Sequence, residues 1–211
     1  MGTDWRDNDP DVEPLVEIYQ GDRTNYEYER APRSAAANRP DFQPGGFRPA
    51  GFVRNAWAKG YKLGVQASSD HLSTHISYAM LLVDGFTREG MLEAIRRRHA
   101  YGATDNILLD VTMETPEGNR HVQGDILYSG PRPRLRARIR GTSSIERFEV
   151  IKNNNVVYST NPGCQTCTLE YVDSDPDSAV SAVNSESMYY ARVRQFDGQL
   201  AWSSPFWVRR R

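Results

Sequence analysis

The sequence predicts an α/β chain in two parts: alternating strands and helices over residues 1–126, then an antiparallel β-sandwich over residues 127–211. Three observations predict it. Up to about residue 113, short apolar runs and helical patterns follow in the order β, α, β, β, α, β. After Gly124 the apolar period changes to two, most clearly in Leu135-Arg136-Ala137-Arg138-Ile139-Arg140, the pattern of a strand with one wet face. Asn153-Asn154-Asn155 and Asp197-Gly198 then fall between apolar runs as hairpin turns.

Residues 1–13 are acidic and contain proline, which predicts a loose start. Leu15-Val16-Glu17-Ile18-Tyr19 reads as a short buried strand; its one charge, Glu17, either pairs structurally or points at a metal pocket. Residues 20–46 carry Pro32, Pro40 and Pro44 and no periodicity. A connection of that length reads as a binding loop, a lid or an insert. Its first part holds Asp22, Arg23 and Glu27, groups able to hold an anion or to orient a substrate. The bland reading is a solvated loop. Pro49 to Lys59 reads as a helix with Phe52, Val53, Ala56 and Trp57 on one face and Gly60 as its C-terminal cap.

Tyr61 to Ala67 is the next strand, and Ala79 to Val83 is apolar enough for a strand covered on both faces. Thr87 caps a second helix with Met91, Leu92, Ala94 and Ile95 as its buried stripe. Arg96-Arg97-Arg98, with His99, suits the negative end of that helix better than a phosphate site. Ile107 to Val111 closes a mostly parallel, covered sheet. About four strands and two helices are too few for a closed barrel of about eight strands, so this half reads as part of one. The sandwich strands are Leu135–Arg140, Phe148–Lys152, Val156–Tyr158, Thr168–Val172, Met188–Gln195 and Leu200–Val208. Tyr189, Trp202 and Trp207 are expected in its core rather than on a sugar-binding platform.

With 211 residues, a net charge of −1, 38% hydrophobic and 25% charged residues, the chain reads as a folded globular protein. The charge balance gives no reason to expect nucleic acid or an acidic membrane as a partner. No stretch approaches the roughly 18 apolar residues of a membrane span. The polar N-terminus is not a signal peptide, which leaves the compartment open. Cys164 and Cys167 form a CxxC without a flanking histidine. One pair cannot supply four zinc ligands. Inert thiols, a local disulfide in an oxidising compartment, and a metal or redox role remain open.

The densest chemistry lies at Leu63-Gly64-Val65-Gln66-Ala67-Ser68-Ser69-Asp70-His71-Leu72-Ser73-Thr74-His75. An apolar strand there ends in a carboxylate and two of the four imidazoles. Those are donors for divalent metals, at the end of a strand, where α/β folds bind ligands. Asp70, His71 and His75 are therefore the candidate metal ligands. The competing reading makes Asp70 a strand-end cap and the histidines surface residues. His121 gets no role.

Several segments together resemble a known family: Pro14-Leu15-Val16-Glu17-Ile18-Tyr19, Gly60-Tyr61-Lys62-Leu63-Gly64, Ala67-Ser68-Ser69-Asp70-His71, and the run from Thr87 to Asp105. The tail from Tyr189 to Val193 and from Asp197 to Val208 joins them. In that order they resemble the C-terminal half of an uncharacterised-domain family in the PHP (polymerase and histidinol phosphatase) metallohydrolase superfamily. The resemblance implies a distorted β/α barrel, here a partial one, followed by the sandwich. It implies divalent ions (Zn, Mn or Fe) at the C-terminal strand ends and hydrolysis, typically of small phosphoesters. The family's late Asp-x-His pair corresponds to Asp70 and the loop after it, though here His71 is adjacent and the next histidine is His75. The family's early His-x-His and further Asp-His have no counterpart, since no histidine precedes His71. The expectation is an incomplete metal site and weak or no turnover without the missing N-terminal half. The alternative is a non-catalytic binding or structural module built on the sandwich.

Overall fold

The computed structural model describes residues 4–21, 24–34, 36–37, 47–71, 75–174 and 186–210. The candidate substrate residues Asp22 and Arg23, and residues 72–74 of the Asp/His loop, lie outside the described residues.

The chain is mostly β and is built in layers. β1 (Leu15–Gln20) and β2 (Gly64–Ser68) form a parallel pair, connected through a 3-10 turn (Pro49–Gly51) and helix α1 (Val53–Ala58). β3 (Tyr78–Leu81) leads through helix α2 (Arg88–Arg96) to β4 (Ala100–Ala103) and β5 (Leu108–Glu114). The remaining strands are β6 (Arg120–Val122), β7 (Ile126–Ser129), β8 (Arg134–Arg140), β9 (Ile145–Lys152), β10 (Asn155–Thr160), β11 (Thr166–Val172), β12 (Glu186–Gln195), β13 (Leu200–Ser203) and β14 (Phe206–Arg210).

An eight-stranded sheet runs β10-β9-β12-β13-β4-β3, with β14 pairing both β12 and β7. A four-stranded antiparallel sheet runs β11-β8-β5-β6. The two stack as a sandwich around Leu109, Val111, Leu135, Ile139, Phe148, Val150, Ala191 and Phe206. The other face of the large sheet packs on β1, β2 and α1 through Trp57, Val65, Tyr190, Trp202 and Trp207. β12 serves both cores: Tyr189, Ala191 and Val193 face the sandwich, Met188 and Tyr190 the N-terminal layer. A strand covered on both faces is apolar where it packs, as β12 is from Met188 to Ala191 and at Val193; its buried Arg192 and Gln195 need partners instead.

The expected mostly parallel sheet over residues 14–113 is corrected. Among the described strands of that stretch, only β1–β2 pair parallel; β3 and β4 pair antiparallel with each other, and β5 pairs antiparallel with β6 and β8. Both sheets also run across residue 126. β4 pairs with β13, and β5 pairs with β8, so strands on either side of that position share one hydrogen-bonded ladder. The cause lies in the partners, which come from far along the chain.

Local chemistry holds elsewhere. β8 alternates exposed arginine with buried Leu135, Ala137 and Ile139. Asn153 and Asn154 have φ of +47° and +64°, as a two-residue hairpin turn requires. Gly60 ends α1 with φ +88°. The Thr87 hydroxyl accepts a hydrogen bond from the Gly90 amide at 3.0 Å and caps α2. The α2 stripe is corrected: only Ala94 is buried and Leu92 is exposed, because the helix packs beside the short edge strand β3. Tyr189, Trp202 and Trp207 are buried, so none of the three offers a platform to solvent. Cys164 and Cys167 are joined in a disulfide.

Candidate functional site

β1 and β2 run parallel, with a register shift between Glu17 and Tyr19, to the same end, where Gln20 sits opposite Ser68. The Gly21 amide donates to the Ser68 carbonyl at 2.8 Å, so the chains leaving the two strands start side by side. A Cβ on Gly21 would come within 2.5 Å of Ile76 Cγ1 and 3.0 Å of the Ser69 carbonyl oxygen. Glycine is what permits that approach.

The Asp/His loop is folded back on itself by two serines. The Ser69 hydroxyl donates to the Ser77 carbonyl at 3.0 Å and accepts from the amides of Ile76 and Ser77 at 3.1 and 3.2 Å. The Ser77 hydroxyl donates to the Ser68 carbonyl. Asp70 and His75 have φ of +74° and +62°. Non-glycine residues enter that region only where surrounding contacts hold them there. Asp70 Oδ1 accepts from the His71 amide at 2.6 Å and lies 3.7 Å from His71 Nε2. The Asp70 side chain is largely covered, and that of His71 is 77% exposed. The His75 carbonyl accepts from the Tyr78 hydroxyl at 3.0 Å. Asp70 and His71 are thus brought together. Among the described residues, however, no three His, Cys, Asp or Glu side chains are arranged to hold a metal ion. Glu17 accepts from the Ser68 hydroxyl, so its carboxylate is occupied within the strand pair.

Glu27, the third candidate substrate group, is elsewhere and fully buried. Its carboxylate accepts from Arg192 Nη1 at 2.8 and 2.7 Å, from the Tyr190 hydroxyl at 2.5 Å and from Trp202 Nε1 at 2.9 Å. Arg192 turns Nε and Nη2 to Glu149 Oε2 at 2.9 and 2.7 Å. Its guanidinium lies 5.5 Å from the Tyr28 ring centre. Burial alone would lower the Arg192 pKa, but Glu27, Tyr190 and Glu149 outweigh it and raise it. Burial and then the Glu27 charge push the Tyr190 phenol well up. The cluster fastens the loop after β1 to the large sheet. The sequence does carry a signal for it: Arg192 is a lone charge inside Met188–Val193. A charge buried there needs a partner.

A second cluster joins the end of α2 to the turn before β7. Asp125 Oδ1 is 2.8 Å from His99 Nε2, and Oδ2 is 3.5 Å from His121 Nδ1 and accepts from the Val122 amide at 3.0 Å. Arg98 donates to the Gly124 carbonyl at 3.1 Å and lies 5.5 Å from the Trp207 ring centre. It braces a corner. His121 has a structural role that nothing in its sequence neighbourhood marks.

Burial tends to raise the Asp125 pKa, yet the hydrogen bonds from His99 and Val122 and the charges of His99 and His121 hold it below the ordinary carboxylate value. A carboxyl lowered in the folded state stabilises fully above its unfolded pKa, near 3.9, and that stabilisation is lost as the pH falls below it. Asp125→Asn is therefore expected to lower the melting temperature at pH 7 and to converge with the unaltered protein as the pH approaches 3. Melting curves followed by circular dichroism at both pH values test this. A difference that grows toward low pH would contradict it.

No helix among the described residues is long and apolar enough to cross a membrane. No family model matches the chain. It is similar to an uncharacterised protein of Chlamydia pneumoniae, 27% identical over 234 residues that cover 98% of this chain and 36% of the relative. A similar uncharacterised protein of Chlamydia trachomatis serovar D is 23% identical over 245 residues, covering 99% of this chain and 36% of the relative. A third, from Chlamydia muridarum, matches at 23% identity with the same coverage. The chain therefore spans about a third of the length of the relatives it matches.

Proposed function

We propose that the chain contributes one edge of a metal-dependent hydrolase of the PHP-like, phosphoesterase type, with β1, α1 and β2 as a piece of a partial β/α barrel. The observation that carries this reading is the parallel pair β1–β2. Its strands end together at Gln20 and Ser68, and the loops that follow start in hydrogen-bonding contact. Parallel strands joined through a helix bind ligands beyond their C-terminal ends. Asp70 stands there in a strained backbone conformation with His71 beside it.

In this reading Asp70, His71 and His75 are ligands to a divalent ion (Zn, Mn or Fe). Asp22 and Arg23 of the β1 loop orient a small phosphoester. A bound ion of this kind supplies a Lewis acid that acidifies water. The chain's own residues hold and orient. The further ligands belong to the part of the longer relatives that this chain does not span, so the chain alone turns over weakly or not at all. Glu27 drops out as a substrate contact, since Arg192, Tyr190 and Trp202 already occupy its carboxylate.

Calorimetric titration with Mn²⁺ and Zn²⁺ tests the site. The unaltered chain is expected to bind at least tenfold more tightly than one carrying Asp70→Ala, His71→Ala and His75→Ala together. Equal affinities, or no binding by the unaltered chain, would overturn the assignment.

A further inference from the structure

The disulfide occupies a particular place in the sandwich. β10 ends at Thr160 in the eight-stranded sheet, and β11 starts at Thr166 in the four-stranded one. Between them the chain crosses from one layer to the other, and Cys164–Cys167 closes that crossover on the first residues of β11. Both cysteines are bonded and none is free.

The crossover is docked on the turn between β8 and β9. The Gly163 amide donates to the Ile145 carbonyl at 3.0 Å, the Ile145 amide to the Cys164 carbonyl at 2.9 Å, and the Gly141 amide to the Gln165 carbonyl at 2.8 Å. Gln165 Nε2 donates to the carbonyls of Gly141 and Thr142 at 3.1 and 3.2 Å. The turn in turn rests on buried Gln195 of β12, whose side-chain carbonyl accepts from the Thr142 amide at 2.9 Å. Gly141 has no room for a side chain: a Cβ would lie 2.3 Å from the Ser143 carbonyl oxygen. Cys167 is buried in the sandwich core, with Cys164 partly buried against it. Cys167 also lines an open cleft of about 380 Å³, along with Tyr101, Leu109, Ile139 and Arg140.

From this placement we infer that Cys164–Cys167 is a redox-sensitive fastener of the sheet-to-sheet crossover, and that the protein works in an oxidising compartment. Disulfides persist in such compartments and are reduced in the cytosol. A bond at an exposed loop tip would leave the fold indifferent to its state. This one pins a five-residue connection to the corner where both sheets meet, and Cys167 borders an open cleft. Reduction takes two electrons and two protons from a dithiol, which closes to its own disulfide, and yields two thiols. The Cys167 side chain is then no longer tied to Cys164, and the hydrogen bonds of residues 163–165 lose their covalent anchor.

Two measurements test the two halves. In the first, cells that naturally make the protein are quenched in acid and alkylated, and the protein's mass is read before and after reduction. Both cysteines are expected to be protected until reductant is added; two alkylated thiols without reductant would overturn the compartment. In the second, the full chain is melted with and without dithiothreitol. A short disulfide loop and the size of the chain give an expected fall of about 4–8 °C on reduction. The Cys164→Ser/Cys167→Ser chain is expected to melt at the lower temperature whether or not reductant is present. A melting temperature indifferent to reductant in the unaltered chain would overturn the fastener.

Discussion

Arg192→Met is expected to destabilise the protein by about 3–5 kcal/mol, the usual cost of removing one partner from a buried ion pair. The guanidinium touches two carboxylates at once, Glu27 at 2.7 Å and Glu149 at 2.7 Å. Methionine fills similar volume but leaves Glu27 with only the Tyr190 hydroxyl and the Trp202 indole as donors. A fully buried anion cannot recover its hydration there. Urea unfolding followed by tryptophan fluorescence reads the loss as a shift in midpoint. Glu27→Gln keeps the shape and removes the charge, so a smaller loss is expected. A midpoint within about 0.5 kcal/mol of the unaltered protein for Arg192→Met would mean the cluster is solvated in solution.

Lys152→Met is expected to cost a similar amount, about 3–5 kcal/mol, by the same mechanism at a different place. Lys152 Nζ lies 2.5 Å from Asp173 Oδ2, and both side chains are almost completely buried. The Tyr189 hydroxyl donates to the same oxygen at 2.6 Å, and burial followed by the Asp173 contact raises its pKa. This pair ties the end of β9 to the end of β11 and so joins the two sheets. Because the Arg192 cluster shares none of these groups, the losses from the two substitutions are expected to add within about 0.5 kcal/mol. Strong non-additivity in the double variant would show that the two cores open together.

The sequence speaks most clearly where structure is local. The alternation of β8, the Asn153-Asn154 hairpin, the Thr87 cap and the Gly60 helix end all follow from residue type over a few positions. It misleads where partners are remote. Ala100-Tyr101-Gly102-Ala103 has too little bulk to announce a strand, yet it lies mid-sheet because small residues let β2 close on it. A Cβ on Gly102 would sit 2.9 Å from the Gln66 carbonyl carbon. Ile107 to Val111 reads as a covered strand of a parallel sheet, but the strand there, β5, pairs antiparallel with β8, which begins twenty residues after β5 ends. At the candidate site the donor types at Asp70 and His71 are legible, as is their position at a strand end. The fate of Glu27 is not, because the arginine that claims it stands 165 residues away. A loop carboxylate and a strand arginine give no periodic signal of their pairing.

The ladder that joins β4 to β13 has a kinetic side. During synthesis β4 leaves the ribosome nearly a hundred residues before the strand it must pair with, and β7 waits almost as long for β14. Until then the middle of the large sheet has two raw edges and no centre. Pairings so distant in sequence make for slow folding and a long exposure of unpaired strands. The large sheet can therefore close only after β12 to β14 have emerged.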